Sequence, residues 1–410
     1  MRLVHSLLIV FFFKILNALD FNMEVSKSSK YEYETKYYES YIDHFNYLND
    51  AKFKLRYLIS EKYFTSGSSI LLYTGNEGDI TAFAENTGFI WESAQELNST
   101  VIFIEHRYYG ESLPFGKKTF NDREHFGYLT AEQALSDFAS LITEIKKEEK
   151  YEKSPVIAMG GSYGGMLTAW LRQKYPNIVV GGLASSAPIF GFPGMRNCSI
   201  FSRIATDSYR KAGGEVCVNN VRSAWNVIHD LGRTPAGLSQ LSKIFKTCDP
   251  LKNSESLSDY VEDFLGSLAM VNYPYPTKFL FDLPGYPLKE YCNVLNKNPG
   301  GEHLIVSFSK AFWKLFDYRG LSTCLDIEDN QSSGLDASGW NLQTCLEMTI
   351  PMCNNNVTDM FPPHPWDDNA FSDQCFSAFG VRPRMNRARV EWWGEDAMSS
   401  LDNIIFRYVL

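Results

Sequence analysis

The chain has 410 residues, 44% apolar and 21% charged, a balance ordinary for a soluble globular protein with no low-complexity tract or internal repeat. That length allows one extended domain or two joined ones. A net charge of −9 without a basic patch argues against nucleic acid or another polyanion as partner.

Residues 1–18 read as a signal peptide. Arg2 gives the positive start, Leu7 to Phe13 an apolar run and Ala18 a small residue at a plausible cleavage point; Lys14 keeps the run too short to span a bilayer. No later stretch resembles a membrane span, so no membrane partner is expected. Four sequons, at Asn98, Asn197, Asn330 and Asn356, fit a chain of the secretory route, lysosomal or secreted. So do eight cysteines, Cys198, Cys217, Cys248, Cys292, Cys324, Cys345, Cys353 and Cys375. Their spacing suits four disulfides and lacks the close Cys-x2-Cys pairs of a metal site, so neither metal nor cofactor is expected; the sequence leaves their pairing open.

The remainder of the first half alternates strand-like and helix-like runs, the pattern of a sheet covered by helices. Lys52 to Tyr63 reads as a leading antiparallel strand with Phe53, Leu55 and Tyr57 on one face. Ser69 to Tyr73, Thr100 to Ile104, Pro155 to Met159 and Ile178 to Leu183 are near-continuous apolar runs, as expected of inner strands buried on both faces. Thr130 and Gln133 form a candidate capping box for a helix running to Ile145, and Met166 to Tyr175 is predicted helical until Pro176. From about residue 190 the rhythm changes. Phe201 to Lys211, Val221 to Leu231, Leu238 to Phe245 and Leu257 to Leu268 read as helices, followed by a Tyr- and Pro-rich stretch at 273–286. The predicted organisation is a core over 19–190, an inserted helical cap with the disulfides over 191–375, and a return to the core over 376–410.

Gly160, Ser162 and Gly164 match Gly-x-Ser-x-Gly, preceded by a strand and followed by a helix, the context of a nucleophile elbow. A serine in a sharp strand-to-helix turn exposes its hydroxyl, while the amide of Tyr163 points where an oxyanion would form. The second oxyanion donor is expected in Gly75-Asn76-Glu77-Gly78, at Asn76 by preference, with Gly75 and Glu77 open; the Glu77 carboxylate could also meet a charged substrate terminus. In an α/β-hydrolase the order is serine, acid, histidine. The histidines after Ser162 are His229, His303 and His364, and none has the setting of a base. His106, within Glu105-His106-Arg107, is expected to help anchor its loop by ion pairing, and His44 to be a locally paired histidine.

Longer strings resemble the serine carboxypeptidase S28 family. They are Tyr41-Ile42-Asp43-His44-Phe45, Tyr73 to Gly78, Glu105 to Gly116, the elbow with Met166, Ala184 to Pro188, Leu268 to Tyr275 and Phe379 to Arg384. The resemblance covers nearly the whole mature chain and argues against a lipase or general esterase. It implies an α/β-hydrolase fold with a mainly helical, disulfide-rich cap, and a serine-type exopeptidase that releases a C-terminal residue following proline. A sister branch instead releases N-terminal dipeptides ending in proline. Ser162 would be the nucleophile, Tyr163 an oxyanion donor and Met166 a wall of the proline pocket, with Ile350 where the family has another methionine. The implied disulfides are Cys198–Cys353, Cys217–Cys292, Cys248–Cys324 and Cys345–Cys375, and a homodimer is plausible. Past Asn403 to Phe406 the family continues with an Asn-Gly-x-x-Asp-Pro-Trp loop and a later histidine segment, where this sequence reads Arg407-Tyr408-Val409-Leu410. The expectation is a hydrolase domain short of its C-terminal part, with impaired peptidase activity or a noncatalytic binding role.

Overall fold

A computed structural model describes residues 30–297, 301–327, 337–392, 394 and 401–408; the expected signal peptide and Asn330 lie outside them. Among the described residues, seven strands form one mixed sheet in the order β1-β2-β4-β3-β5-β6-β7. They are β1 (Glu34–Tyr41), β2 (Lys52–Ser60), β3 (Ile70–Thr74), β4 (Thr100–Ile104), β5 (Val156–Gly161), β6 (Val179–Ser185) and β7 (Ile404–Arg407). β2 runs antiparallel to β1 and β4, and β4, β3, β5, β6 and β7 pair in parallel.

Period-two alternation divides the inner strands between two cores. Leu71, Tyr73, Val101, Phe103 and Met159 face α1 (Ile80–Asn86) and α2 (Gly88–Leu97). Ile70, Leu72, Ile102, Ile104, Val156 and Ala158 face α3 (Ala131–Ile145) and α4 (Tyr163–Lys174). β3 and β4 are buried at every position, as their apolar runs predict, whereas β6 is mixed, with Val180 46% exposed. β7 is outermost among the described strands, and its Ile405 is 67% exposed.

Thr130 caps α3 by accepting the Gln133 N–H at 3.2 Å, but the box is not reciprocal. The Gln133 side chain is used elsewhere, donating to Asp43 and accepting from the His44 N–H. α4 begins at Tyr163, three residues earlier than the apolar stripe suggests, because the elbow itself supplies the first turn.

The cysteine-bearing region is mainly helical: α5 (Ile200–Gly232), α6 (Pro235–Phe245), α7 (Glu255–Met270), α8 (Pro287–Leu295) and α9 (Gly301–Phe316). The two helices expected in 201–231 are one segment broken at Gly214, whose φ of +73° suits glycine. These helices enclose a core of their own around Trp225, Phe245, Phe264, Phe308 and Phe312. The disulfides are Cys198–Cys353, Cys217–Cys292, Cys248–Cys324 and Cys345–Cys375. Cross-links of this kind stabilise by about 2–4 kcal/mol each, chiefly by restricting the unfolded chain. The last of them joins α10 (Ala337–Leu346) to α11 (Asp368–Phe379). α12 (Arg387–Glu391) returns the chain to the sheet, where Trp392 stacks on Trp170 of α4 at 4.2 Å. The whole is a mixed α/β sheet with flanking helices and a disulfide-linked helical region, the architecture of an α/β-hydrolase-like fold. Among the described residues no helix is long and apolar enough to cross a membrane.

Candidate active site

β5 ends at Gly161 and α4 starts at Tyr163, so Ser162 alone makes the turn. Its φ of 55° and ψ of −125° lie where a residue with a Cβ is strained. Hydrogen bonds hold it there: the Ser162 N–H donates to the Ser185 carbonyl at 2.9 Å, and the Met166 N–H donates to the Ser162 carbonyl at 3.1 Å. Two glycines make the close approach possible. A Cβ on Gly160 would collide with the Gly164 carbonyl, and one on Gly164 would sit 2.7 Å from the Thr74 carbonyl. The buried Thr74 hydroxyl, 2.7 Å from the Gly164 carbonyl and 2.7 Å from the Thr168 hydroxyl, ties the end of β3 to the first turn of α4.

Tyr163 occupies the first position of α4, where backbone N–H groups have no intrahelical acceptor and the helix dipole favours negative charge. Facing it is the loop after β3. The Gly75 N–H donates to the Ile104 carbonyl at 3.0 Å and so belongs to the sheet, which removes Gly75 from the oxyanion candidates. Asn76 is 3% exposed, and its Oδ1 accepts the Tyr73 hydroxyl at 3.3 Å. A Cβ on Gly164 would stand 3.1 Å from that same Oδ1, so this loop packs directly on the elbow. Glu77 is buried: it is 8% exposed, Oε2 has no hydrogen-bond partner, and burial raises its pKa.

Met166 has no exposed surface and lies within the core beneath the sheet, while Ile350 packs on the same core and is partly exposed. Only Ile350 of this pair therefore presents apolar surface to solvent. Asn98 and Asn197 are exposed; Asn356 is partly buried, with its Oδ1 enclosed and unpartnered.

Behind the elbow lies a buried polar network that sequence reasoning did not find. The Tyr163 hydroxyl is 2.9 Å from His106 Nε2 and 2.7 Å from Gln343 Nε2. Gln343 Oε1 accepts the Tyr109 hydroxyl at 2.7 Å, and Nε2 also reaches Glu347 at 3.1 Å. Burial pushes the His106 imidazole down to about 4 and Glu347 up to about 7. No spacing signals these contacts, since Gln343 and Tyr163 are 180 residues apart.

The residues beside His106 do form ion pairs. Glu105 meets Arg56 at 2.5 Å, and Arg107 meets Asp137 at 2.6 Å. His106 itself does not, so it anchors the site by neutral hydrogen bonds rather than by charge. His44 Nε2 lies 3.3 Å from the hydroxyl of its local neighbour Ser40 and, closer, 2.8 Å from Asp137, 93 residues away. Although burial pushes the Asp137 carboxyl up, Arg107 and His44 outweigh it and hold the carboxyl below its ordinary value. His229 is 75% exposed, His303 is exposed, and His364 pairs through its backbone with Asn354. Among the described residues, no histidine is hydrogen-bonded to the Ser162 hydroxyl, and no group of three or more His, Cys, Asp or Glu is arranged to hold a metal ion.

A serine in a strained strand-to-helix turn, with a helix-terminal amide beside it, defines a serine hydrolase of the nucleophile-elbow class. Residues 40–403 match the family model described as Serine carboxypeptidase S28, and the chain belongs to that family. It is 45% identical over 380 residues to Lysosomal Pro-X carboxypeptidase of Mus musculus, covering 92% of this chain and 77% of the relative. The Homo sapiens protein of the same name is 44% identical over 379 residues, covering 91% and 76%. Prolyl carboxy peptidase like protein 5 of Caenorhabditis elegans is 39% identical over 368 residues, covering 85% and 71%. By this homology the chain is a serine-type exopeptidase of the Pro-X carboxypeptidase family.

Proposed function

We propose that this protein releases the C-terminal residue of peptides in which proline comes immediately before it, using Ser162 as nucleophile. The observation that carries the reading is the strained Ser162 at the start of α4, in a chain 45% identical to a protein named for that activity. Attack by the Ser162 hydroxyl on the prolyl carbonyl would place negative charge on its oxygen. The N–H of Tyr163 and that of Asn76 are assigned to receive it, Gly75 being committed to the sheet. Ile350 is assigned to the apolar wall met by the proline ring, with Met166 supporting it from within the core. The helical region of 191–375 acts as a cap over the cleft, and the Phe279 ring it contributes packs 6.0 Å from Phe83 of α1. No described histidine is given the role of general base.

Residence in a lysosomal or extracellular compartment is part of the same reading, supported by the four disulfides and the exposed sequons at Asn98 and Asn197. Two peptides separate this reading from its alternatives, one acetylated at its N-terminus and ending in Pro-Phe, the other amidated and beginning X-Pro. Release of phenylalanine from the first, abolished by Ser162→Ala, is the expected result. Release of an X-Pro dipeptide from the second would indicate a dipeptidyl aminopeptidase. Cleavage of neither would leave a noncatalytic peptide-binding protein.

A further inference from the structure

Gln343 of α10 is fully buried, and every polar atom of its side chain is used. Its Nε2 donates one hydrogen to the Tyr163 hydroxyl at 2.7 Å and the other to Glu347 Oε1 at 3.1 Å, and its Oε1 accepts the Tyr109 hydroxyl at 2.7 Å. Glu347 is fixed in turn, because the same Oε1 accepts the Ala131 N–H at the start of α3, at 2.6 Å. Trp340, one turn earlier on α10, lies 5.5 Å from the Tyr163 ring, and the Cys345–Cys375 disulfide holds the helix against α11.

We propose that Gln343, oriented by Tyr109 and Glu347, is a positioning residue for acyl transfer at Ser162: it fixes the Tyr163 side chain and, through it, the main-chain N–H that receives the oxyanion. The inference rests on the reading of Ser162 as the nucleophile. Its physical basis is that the phenol and the amide belong to one residue at the first turn of α4, so freedom of the ring becomes freedom of the helix terminus. Oxyanion donors act over a narrow range of distance, and a displacement of about 1 Å costs on the order of a hundredfold in rate. The packing of Gly160 and Gly164 against Thr74 holds the same backbone from the other side, so losing the Gln343 contact is partial in effect. A loss of about tenfold in kcat is expected, with KM within about twofold, because only the transition state uses the N–H fully.

The test compares Gln343→Leu, Tyr163→Phe and the double variant in the full chain on the Pro-Phe peptide. Gln343→Leu should lower kcat about tenfold, Tyr163→Phe, which also loses the His106 contact, at least as much, and the double variant no further than Tyr163→Phe alone. Unchanged kcat in Gln343→Leu, or losses that multiply, overturns the inference and leaves the assignment of Ser162 standing. Equal turnover by wild type and Ser162→Ala sinks that assignment instead. A second arm needs no turnover: in protein labelled with 15N-tyrosine, Gln343→Leu should shift the Tyr163 amide resonance, and an unmoved resonance overturns the inference. Glu347→Gln keeps an acceptor for Gln343 and Ala131 and should lose less than Glu347→Leu; equal losses count against the network.

Discussion

His106 accepts the hydroxyl proton of Tyr163, with Nε2 2.9 Å from the phenolic oxygen. The direction follows from the other side of the ring. Nδ1 lies 2.6 Å from the Arg107 carbonyl, which can only accept, so Nδ1 carries the proton and a neutral ring offers Nε2 as acceptor. Burial keeps the ring neutral by pushing its pKa down to about 4. The phenolic oxygen is then free to accept from Gln343, and the chain of donors closes without conflict. His106 is thus a strut beneath the elbow, with both nitrogens occupied.

Removing that acceptor strands a buried hydroxyl. His106→Phe should lower the unfolding free energy by about 1–3 kcal/mol, whereas His106→Gln, whose carbonyl can accept, should cost less. Urea denaturation of the three proteins at pH 7 measures the difference. A His106→Phe variant as stable as wild type would contradict the assigned direction of the hydrogen bond.

Stability should fall as pH rises from about 6.5 to 8. Burial raises Glu347 to about 7, and burial with the neighbouring Asp263 and Asp259 charges raises Glu262 to about 8, both from an unfolded value of 4.5. The folded state therefore holds more protons than the unfolded state between the two values, and stability is lost as pH climbs through that window. His106 acts oppositely: its folded value of about 4 lies below the unfolded 6.5, so its contribution is lost as pH falls through that interval. Above 6.5 the carboxyls act without this opposition. Urea midpoints at pH 6.5 and 8 test the slope, which Glu262→Gln and Glu347→Gln should flatten.

The pairing of Arg107 with Asp137 should be costly to break and cheap to replace. Neither side chain is exposed, and the carboxylate takes both Nε at 2.6 Å and Nη2 at 2.7 Å, while Arg107 also donates to the Ile42 and Tyr41 carbonyls. Arg107→Leu leaves a buried carboxylate with only the His44 ring and the Ser40 hydroxyl as its remaining side-chain partners, at a cost of about 3–5 kcal/mol. Changing Asp137 to leucine as well should recover part of that loss. Thermal unfolding of the single and double variants decides it, and a double variant less stable than Arg107→Leu would refute the argument.

How far the sequence speaks differs between these two layers. Thr100 to Ile104 is legible as an inner strand because burial on both faces leaves four apolar residues in a row, Val101 to Ile104. Ser162 is legible because its turn demands glycines at fixed offsets. The helix break was legible only in outline: the gap between the two expected helices spans Gly213-Gly214, but nothing in the sequence says that Gly214 is the one taking the positive φ. The Gln133 side chain was misassigned because a capping signature cannot show that the loop at Asp43 and His44 lies closer. Gln343 and Glu347 were invisible for a stronger reason: their meaning comes from Tyr163 and Ala131, neighbours only after the helical region has folded back on the sheet.

Ser162→Gly should make the protein more stable while removing its nucleophile. The residue holds φ at 55° and ψ at −125°, a conformation that costs a residue with a Cβ about 1–3 kcal/mol and glycine little. Against this, glycine gives the unfolded chain more freedom, offsetting about 0.5–1 kcal/mol. A net gain of about 0.5–2 kcal/mol over Ser162→Ala, which keeps the Cβ and hence the strain, is the expected outcome. Alanine is the proper comparison because both variants lose the hydroxyl, so any difference reports the backbone alone. Parallel thermal melts provide the readout, with serine-directed phosphonate labelling of wild type as the check that the hydroxyl is reactive. If Ser162→Gly melts no higher than Ser162→Ala, the turn stores no strain, and the glycines at 160 and 164 serve close packing alone.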